Sequence, residues 1–398
     1  MRIVFFILSP LLTFLYSCFD LNKRMSQIVF VLFFGLFGYC HTFSDMRADS
    51  YRKYESFTHY STMDIDAVVD GLSTGKMKDV FEPILYYFVK SFSNDPHVMM
   101  MIVGLFGGFF YMLVVKRFLQ DRRMRYTVPI VILLAFMVME SNIPLMGGIR
   151  NFCAFPLFMY SLISLLIDNK KRWVVGLLLT PLIHFSYIIV VAVALIAWLI
   201  KLPNGLLHHL AVLSCVMSLF LDTSSYGVVV DNIVGVLDNE SVANRIDHYS
   251  DEDTEEHFND SLTTKLTRVN NKISAVYIAI LLSYIYINRR RLNQTQYELK
   301  IYNRLLIFIT FSFALISFSV VGQRYVYIAL VLLYLYLLNL YQRNPYTAVT
   351  KFIYAMPIVF IVHIAWTLYN CYCNVGFDIV YQPLLFLIYS LYFLCFIK

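Results

Sequence analysis

Apolar residues run in long stretches separated by short polar breaks. A membrane helix needs about 20 mostly apolar residues. Thirteen stretches approach that length: 3–19, 27–43, 98–115, 126–142, 151–167, 172–183, 185–200, 205–221, 273–288, 305–320, 325–341, 352–369 and 379–397. The pattern predicts an all-α, polytopic integral membrane protein of about 12–14 transmembrane helices, with residues 1–398 as a single membrane domain. Residues 83–92, behind Glu82-Pro83, are fewer. At about 1.5 Å per residue they are too short to span, and they are read as a helix lying on or dipping into one face. Two long segments lie outside the apolar runs, 44–82 and the acidic 222–271 with Asp251-Glu252-Asp253. No repeat of 20–50 residues and no clear inverted repeat is visible.

Composition agrees with this pattern. The chain is 59% hydrophobic and 15% charged, against about 45–50% and 25% in soluble domains. One soluble core could not bury that excess, which excludes soluble enzymes and most nucleic-acid binders. The 34 Phe and 30 Tyr exclude disorder. Seven Cys are present, and all but the Cys371-x-Cys373 pair sit in or at the ends of apolar runs. The spacing of that pair is tight for a disulfide and lacks a His at zinc distance. Neither a disulfide framework nor a metal site is expected. Residues 3–19 follow a lone Arg2 and lack small residues before a cut, so they read as a first membrane helix and not as a signal peptide.

Charge then sets orientation. Segments 20–26, 116–125, 168–172, 201–204, 289–304, 342–351 and the last residue hold 19 Lys and Arg with four acids, and the opposite side holds 13 with 22. The basic side is cytoplasmic by the positive-inside rule. An odd number of crossings follows, with the N-terminus out and the C-terminus in. The 44–82 and 222–271 segments then lie outside the cytoplasm.

Three charges interrupt apolar runs near that outer level. Arg150 follows Gly147-Gly148-Ile149, His184 lies between Pro181 and Ser186, and Arg324 follows Gly322-Gln323. Each is placed at the opening of an inward-running helix, whose N-terminus favours anions. Alone, each reads equally well as an interfacial anchor or a packed polar residue. Together they make a cationic layer. The stretch Ser44-Asp45…Asp49-Ser50-Tyr51…Tyr54 leaves the second span at the same face. If helical, Asp45 and Asp49 share one side. The tyrosines also suit an aromatic belt.

These elements in order, with Glu82-Pro83-x-x-Tyr86-Tyr87, Gly148-Ile149-Arg150-Asn151, His184-Phe185-Ser186 and Gln323-Arg324-Tyr325, resemble the EpsG branch of the Wzy-type polysaccharide polymerases. The resemblance covers roughly residues 25–340. Asn151 stands where the family often has Gln, and Tyr187 stands where a small residue usually follows His-x-Ser. The resemblance implies a GT-C-like, metal-independent membrane glycosyltransferase without cofactor, in the bacterial inner membrane. It would extend capsule or O-antigen chains carried on undecaprenyl diphosphate, leaving a chain-length regulator and a flippase open as further partners.

The chemistry suits the residues. The diphosphate leaving group needs charge stabilisation, and the Arg fork supplies it bidentately. Arg150 and Arg324 are assigned the diphosphate. His184 is the candidate base, with Asp45 and Asp49 as rivals or as acceptor-sugar ligands. Gln323, Tyr51, Tyr54, Tyr86, Tyr87, Asn151 and Ser186 complete the candidate substrate contacts, the Tyr86 and Tyr87 rings flooring a sugar groove. Loop 222–271 is either a connector or a lid over the acceptor, with His248 and Tyr249 facing in. A lipid-linked oligosaccharide flippase would also need a cationic cavity but usually shows two related halves and short loops. A glycan ligase shares the donor chemistry, and only the EpsG-like spacing favours polymerase.

Overall fold

A computed structural model describes residues 2–43, 49–60, 70, 80–119, 127–140, 148–199, 203–220, 262–316, 319–345 and 347–375. Every regular element among them is helical. In chain order these are α1 (Arg2–Leu8), α2 (Pro10–Cys18), α3 (Arg24–Tyr39), α4 (Asp49–His59), α5 (Phe81–Lys90), α6 (Pro96–Leu119), α7 (Val128–Met139), α8 (Ile149–Leu162), α9 (Val174–Ile183) and α10 (Tyr187–Leu199). They continue as α11 (Asn204–Met217), α12 (Leu262–Ile287), α13 (Arg289–Leu292), α14 (Gln296–Ala314), α15 (Ser319–Arg343), α16 (Ala348–Val359) and α17 (Ile361–Val375). The chain is a multi-pass, all-α membrane protein. Among the described residues, Pro96–Leu119, Ile149–Ile167 and Tyr325–Arg343 are long and apolar enough to cross a bilayer. The bent pair α16 and α17, 50° apart, forms a further candidate span, and shorter apolar helices stand beside these.

The helices group into two compact units. One comprises Met1–Thr127, Leu134–Trp198 and Thr367–Lys398; the other comprises Val128–Leu133 and Leu199–Trp366. In the first unit α3 and α6 approach so closely that glycines form the contact. A methyl at Gly38 would meet the Met100 carbonyl, and one at Gly104 would meet the Phe34 carbonyl. Small residues let apolar helices pack backbone to backbone where no hydrophobic effect drives them together. Phe14, Phe33 and Phe34 fill the space beside this contact, the first two stacked at 4.0 Å. The Phe152 ring lies over Gly107, so α8 packs on α6 and is almost wholly buried. A π turn at Ile163–Ile167 and a left-handed Asn169 end α8 and reverse the chain into α9. Asn tolerates that conformation better than most residues.

Polar contacts fix the two ends of this unit. At one end Arg117 grips Asp168 with both Nε (3.0 Å) and Nη2 (2.7 Å). At the other, Thr42 donates its backbone N–H to the Asn374 carbonyl at 2.7 Å. Each pair joins segments that the charge pattern assigns to one side.

The exception is the first apolar stretch. Hydropathy predicts that residues 3–19 cross as one helix. Instead the chain breaks at Ser9-Pro10, and Arg2 reaches back to Asp20 at 2.7 Å and lies over the Tyr16 ring. A straight helix would separate residues 2 and 20 by about 27 Å at 1.5 Å per residue. The stretch is therefore a helical hairpin whose two ends meet, and not one straight helix.

In the second unit α15 is the buried centre. A capping box at Thr295 and Glu298 starts α14, and Glu298, almost fully buried, also pairs with Arg343 at 2.9 Å. One carboxylate thus satisfies the first turn of α14 and the last turn of α15, which accounts for an acid inside an apolar bundle.

Candidate functional site

Four elements of the first unit converge at the start of α8. Gly148 caps this helix, and Arg150 is its second residue. A cation there opposes the helix dipole, and unpaired helix N–H groups add to its positive field. Glu82, in the first turn of α5, answers it. Its Oε1 lies 3.5 Å from Arg150 Nε and 2.8 Å from Lys53 Nζ of α4. The side chains of Lys53, Glu82 and Arg150 are 14%, 15% and 32% exposed. The cluster is therefore shielded, with Arg150 its most accessible member. Among the described residues, two cations flank one carboxylate beside a helix N-terminus, a setting that suits an anion.

The α5 helix is held in place on two sides. The Val80 backbone N–H donates to the Leu182 carbonyl at 3.2 Å, tying it to the end of α9. The Tyr60 hydroxyl donates to the Pro83 carbonyl at 3.4 Å, and burial pushes this phenol above its ordinary range. Tyr86 is buried edge-on to Phe57 and Tyr60. Tyr87, the next residue, is 49% exposed on another side of α5. The two rings expected to floor one groove thus face apart, as neighbours on a helix must.

His184 sits in the break between α9 and α10. It is the extended residue ending α9 and does not open the next helix; Phe185-Ser186 turn the chain before α10 starts at Tyr187. Its ring lies 6.0 Å from that of Tyr187. Tyr187 is buried and donates its hydroxyl to Asn151 Oδ1 at 3.0 Å. Asn151 and Tyr187 are therefore bonded to each other. Tyr187 fills a buried slot against Phe158, and the short Asn leaves room for its hydroxyl. Ser186 is half-buried in the same turn.

Tyr51 and Tyr54 pair on α4, and Tyr54 continues into an aromatic group with Phe43 and His97. Asp45 lies outside the described residues, as do His248 and Tyr249; Asp49 begins α4, and its side chain is not described. The sequence places Arg324 and Gln323 at the start of a helix. They lie instead in the second turn of α15, which begins at Ser319 in the other unit.

Lys53 and Glu82 are members of the cluster that sequence reasoning misses. Glu82 has a signal: an acid leading an apolar stretch needs a cation, and Arg150 is the interrupting charge that needs an anion.

Beside the cluster a cavity of about 800 Å³ runs along α9. Val80, Phe81 and Ile183 line one end, next in sequence to Glu82 and His184, and Arg172 and Trp173 line the other. Its walls are apolar, and Val175, Leu179 and Leu182 are exposed along it. Helix α9 is about 15 Å long at 1.5 Å per residue, so the cavity is a lateral groove the length of several isoprene units.

No curated protein and no solved structure shows significant similarity to the chain. The EpsG family profile matches residues 26–382. That match embraces all but the first two residues of α3, the elements from α4 through α17 and every described member of the charged cluster, and the chain belongs to the EpsG family, a family of Wzy-like polysaccharide polymerases.

Proposed function

We propose that this protein polymerises lipid-linked repeat units at the extracytoplasmic face of the bacterial cytoplasmic membrane. The glycan on undecaprenyl diphosphate is transferred to a sugar hydroxyl of an incoming lipid-linked unit. The observation that carries this reading is the shielded Lys53–Glu82–Arg150 cluster at the start of α8, together with an apolar groove along α9 whose lining includes Phe81, the neighbour of Glu82 in sequence. A polyprenyl chain fits the groove from the bilayer side, which brings its diphosphate to the cations.

In this reading Arg150 and Lys53 offset part of the diphosphate charge, in the role a metal ion would otherwise fill. Glu82 positions both. The acceptor oxygen attacks the anomeric carbon, the bond to the diphosphate oxygen breaks, and that oxygen keeps the electron pair. His184 takes the hydroxyl proton. One displacement inverts the anomeric centre. Asp45 and Asp49 orient the acceptor sugar, and the α4 tyrosines give it stacking surfaces. A chain-length regulator and a flippase are the expected partners.

The Arg2–Asp20 pair supports placing residue 2 beside the basic 20–26 segment, on the cytoplasmic side with the C-terminus. Cysteines introduced one at a time at Ile3 and Lys23 in a cysteine-free chain should both resist an impermeant maleimide in intact spheroplasts. Both should label after permeabilisation. Labelling of the Ile3→Cys variant in intact spheroplasts would return the N-terminus to the outer side.

The function itself is tested by the lipid-linked glycans of cells lacking the chain. Single repeat units should accumulate on the outer face. Units retained on the cytoplasmic face would identify a flippase. Full-length polymer left on its lipid would identify a ligase.

A further inference from the structure

A second chemistry-bearing cluster lies in the other unit, where the proposed transfer makes no use of it. A cavity of about 440 Å³ opens between α11 and α12. Its polar end is built from His208, His209, Ser283 and Tyr286. His208 is buried, stacks on Tyr286 at 4.1 Å with the planes 7° apart, and is hydrogen-bonded through Nδ1 to the Tyr302 hydroxyl at 3.1 Å. His209 is exposed and meets the edge of Tyr286 at 5.4 Å. The Arg289 guanidinium lies 4.5 Å from the Tyr286 ring centre. Arg289-Arg290-Arg291 follow directly and are exposed.

The cavity's other end is apolar. Val212, Leu213 and Val216 stand along α11, with Ile287 opposite. Leu213, Val216 and Ile287 are 55%, 40% and 78% exposed. The site is therefore an open groove that changes from polar to apolar along its length, with the Arg289 guanidinium beside its polar end on the Tyr286 ring. A soluble anion would use only the first part. A zwitterionic lipid would bring its own cation to three arginines. A lipid with a net negative phosphate head matches both parts.

We propose that this groove binds an anionic phospholipid. The phosphate lies at Arg289 and His209, above the Tyr286–His208 plate, and one acyl chain follows Val212, Leu213 and Val216. The buried His208–Tyr302 bond keeps the plate rigid, so the head group meets a preformed surface. The site lies wholly within one unit and depends neither on the membrane sidedness proposed above nor on the transfer reaction.

The test uses the purified full-length protein in detergent and native mass spectrometry with phosphatidylglycerol, phosphatidylcholine and inorganic phosphate. Phosphatidylglycerol should be retained in preference to phosphatidylcholine, and inorganic phosphate should not displace it. Arg289→Gln should weaken retention about five-fold, the ratio that corresponds to roughly 1 kcal/mol for one cation near a lipid surface. Leu213→Gln should weaken it with the head-group cations intact. Both side chains are exposed, so both variants should melt like the parent when no lipid is added. Equal retention of the two lipids, or undiminished retention by Arg289→Gln, would overturn the proposal. So would displacement by phosphate, which would make this a soluble-anion site. Polymer formed by each variant in cells is scored separately, so a failed lipid site and a failed polymerase assignment give different results.

Discussion

Arg150→Lys should lower polymer formation about 100-fold, the loss that follows removal of one preorganised donor to a developing oxyanion. The variant keeps the charge and loses the planar fork. Lys has the reach to pair with Glu82, so the amount of protein in the membrane should stay at the parental level. Polymer length distribution and the pool of unpolymerised lipid-linked units are the measurements. Near-normal polymer from Arg150→Lys would remove the bidentate role. Glu82→Gln makes the informative contrast. It leaves Lys53 and Arg150 with their charges and without the carboxylate between them. Two close cations then repel, so the diphosphate should bind no more weakly while turnover falls, because the cations lose their positions. A merely structural Glu82 would instead reduce the amount of folded protein and leave the KM and kcat of the remainder unchanged.

The groove gives this argument its direction. Its apolar walls end at Val80 and Ile183, one or two residues before Glu82 and His184. A chain lying in it would be bound by burial alone, at about 25 cal/mol per Å², in ground state and transition state alike. Such uniform binding raises affinity without raising turnover. The charged cluster is where discrimination must arise, because charge on the leaving oxygen grows only as the bond breaks.

Much of this arrangement is legible in the sequence. Arg150 and His184 stand out because a charge inside an apolar run is costly and needs a reason. The all-α class follows from run length. What hydropathy cannot report is direction. Residues 3–19 are apolar whether they cross or fold back, and only the partnership of Arg2 with Asp20 distinguishes the two. Pro10 marks the break, but Pro156, Pro181 and Pro357 all sit inside helices. Lys53 gives no sequence signal because its partner lies 29 residues away, across segments no local pattern links. Asn151 and Tyr187 look like two separate departures from the family pattern. In the structure they meet, since the Tyr187 hydroxyl donates to the Asn151 side chain. Gly322 suggests a helix start at Arg324, yet the helix runs on through that glycine from Ser319.

Gly104→Ala should destabilise the protein even though Ala is intrinsically better than Gly in a helix by about 1 kcal/mol. The sign reverses because a Cβ at Gly104 has no side chain to push aside. It meets the Phe34 carbonyl and the Gly35 backbone of α3, while Gly38 meets the Met100 backbone from the opposite side. Backbone cannot rotate away, so the helices must separate, and overpacking of this kind costs about 1–3 kcal/mol at each site. The double variant Gly38→Ala, Gly104→Ala should yield no monodisperse folded protein in detergent. Gly205→Ala is the internal control: the one atom near its Cβ is the Tyr286 hydroxyl at 3.8 Å, an ordinary contact, so the helix preference should act unopposed and Tm should hold or rise. Thermal unfolding followed by size exclusion separates the cases. A parental Tm for Gly104→Ala would mean that α3 and α6 are not in backbone contact. The effect should also reach the site. The residues that follow α3 lead to Phe43, which packs on Tyr54 and on His97 at the start of α6. Any increase in the α3–α6 spacing therefore shifts α4, and with it the Lys53 ammonium that holds Glu82. Protein carrying Gly104→Ala that survives purification should accordingly lose activity beyond its loss of folded material.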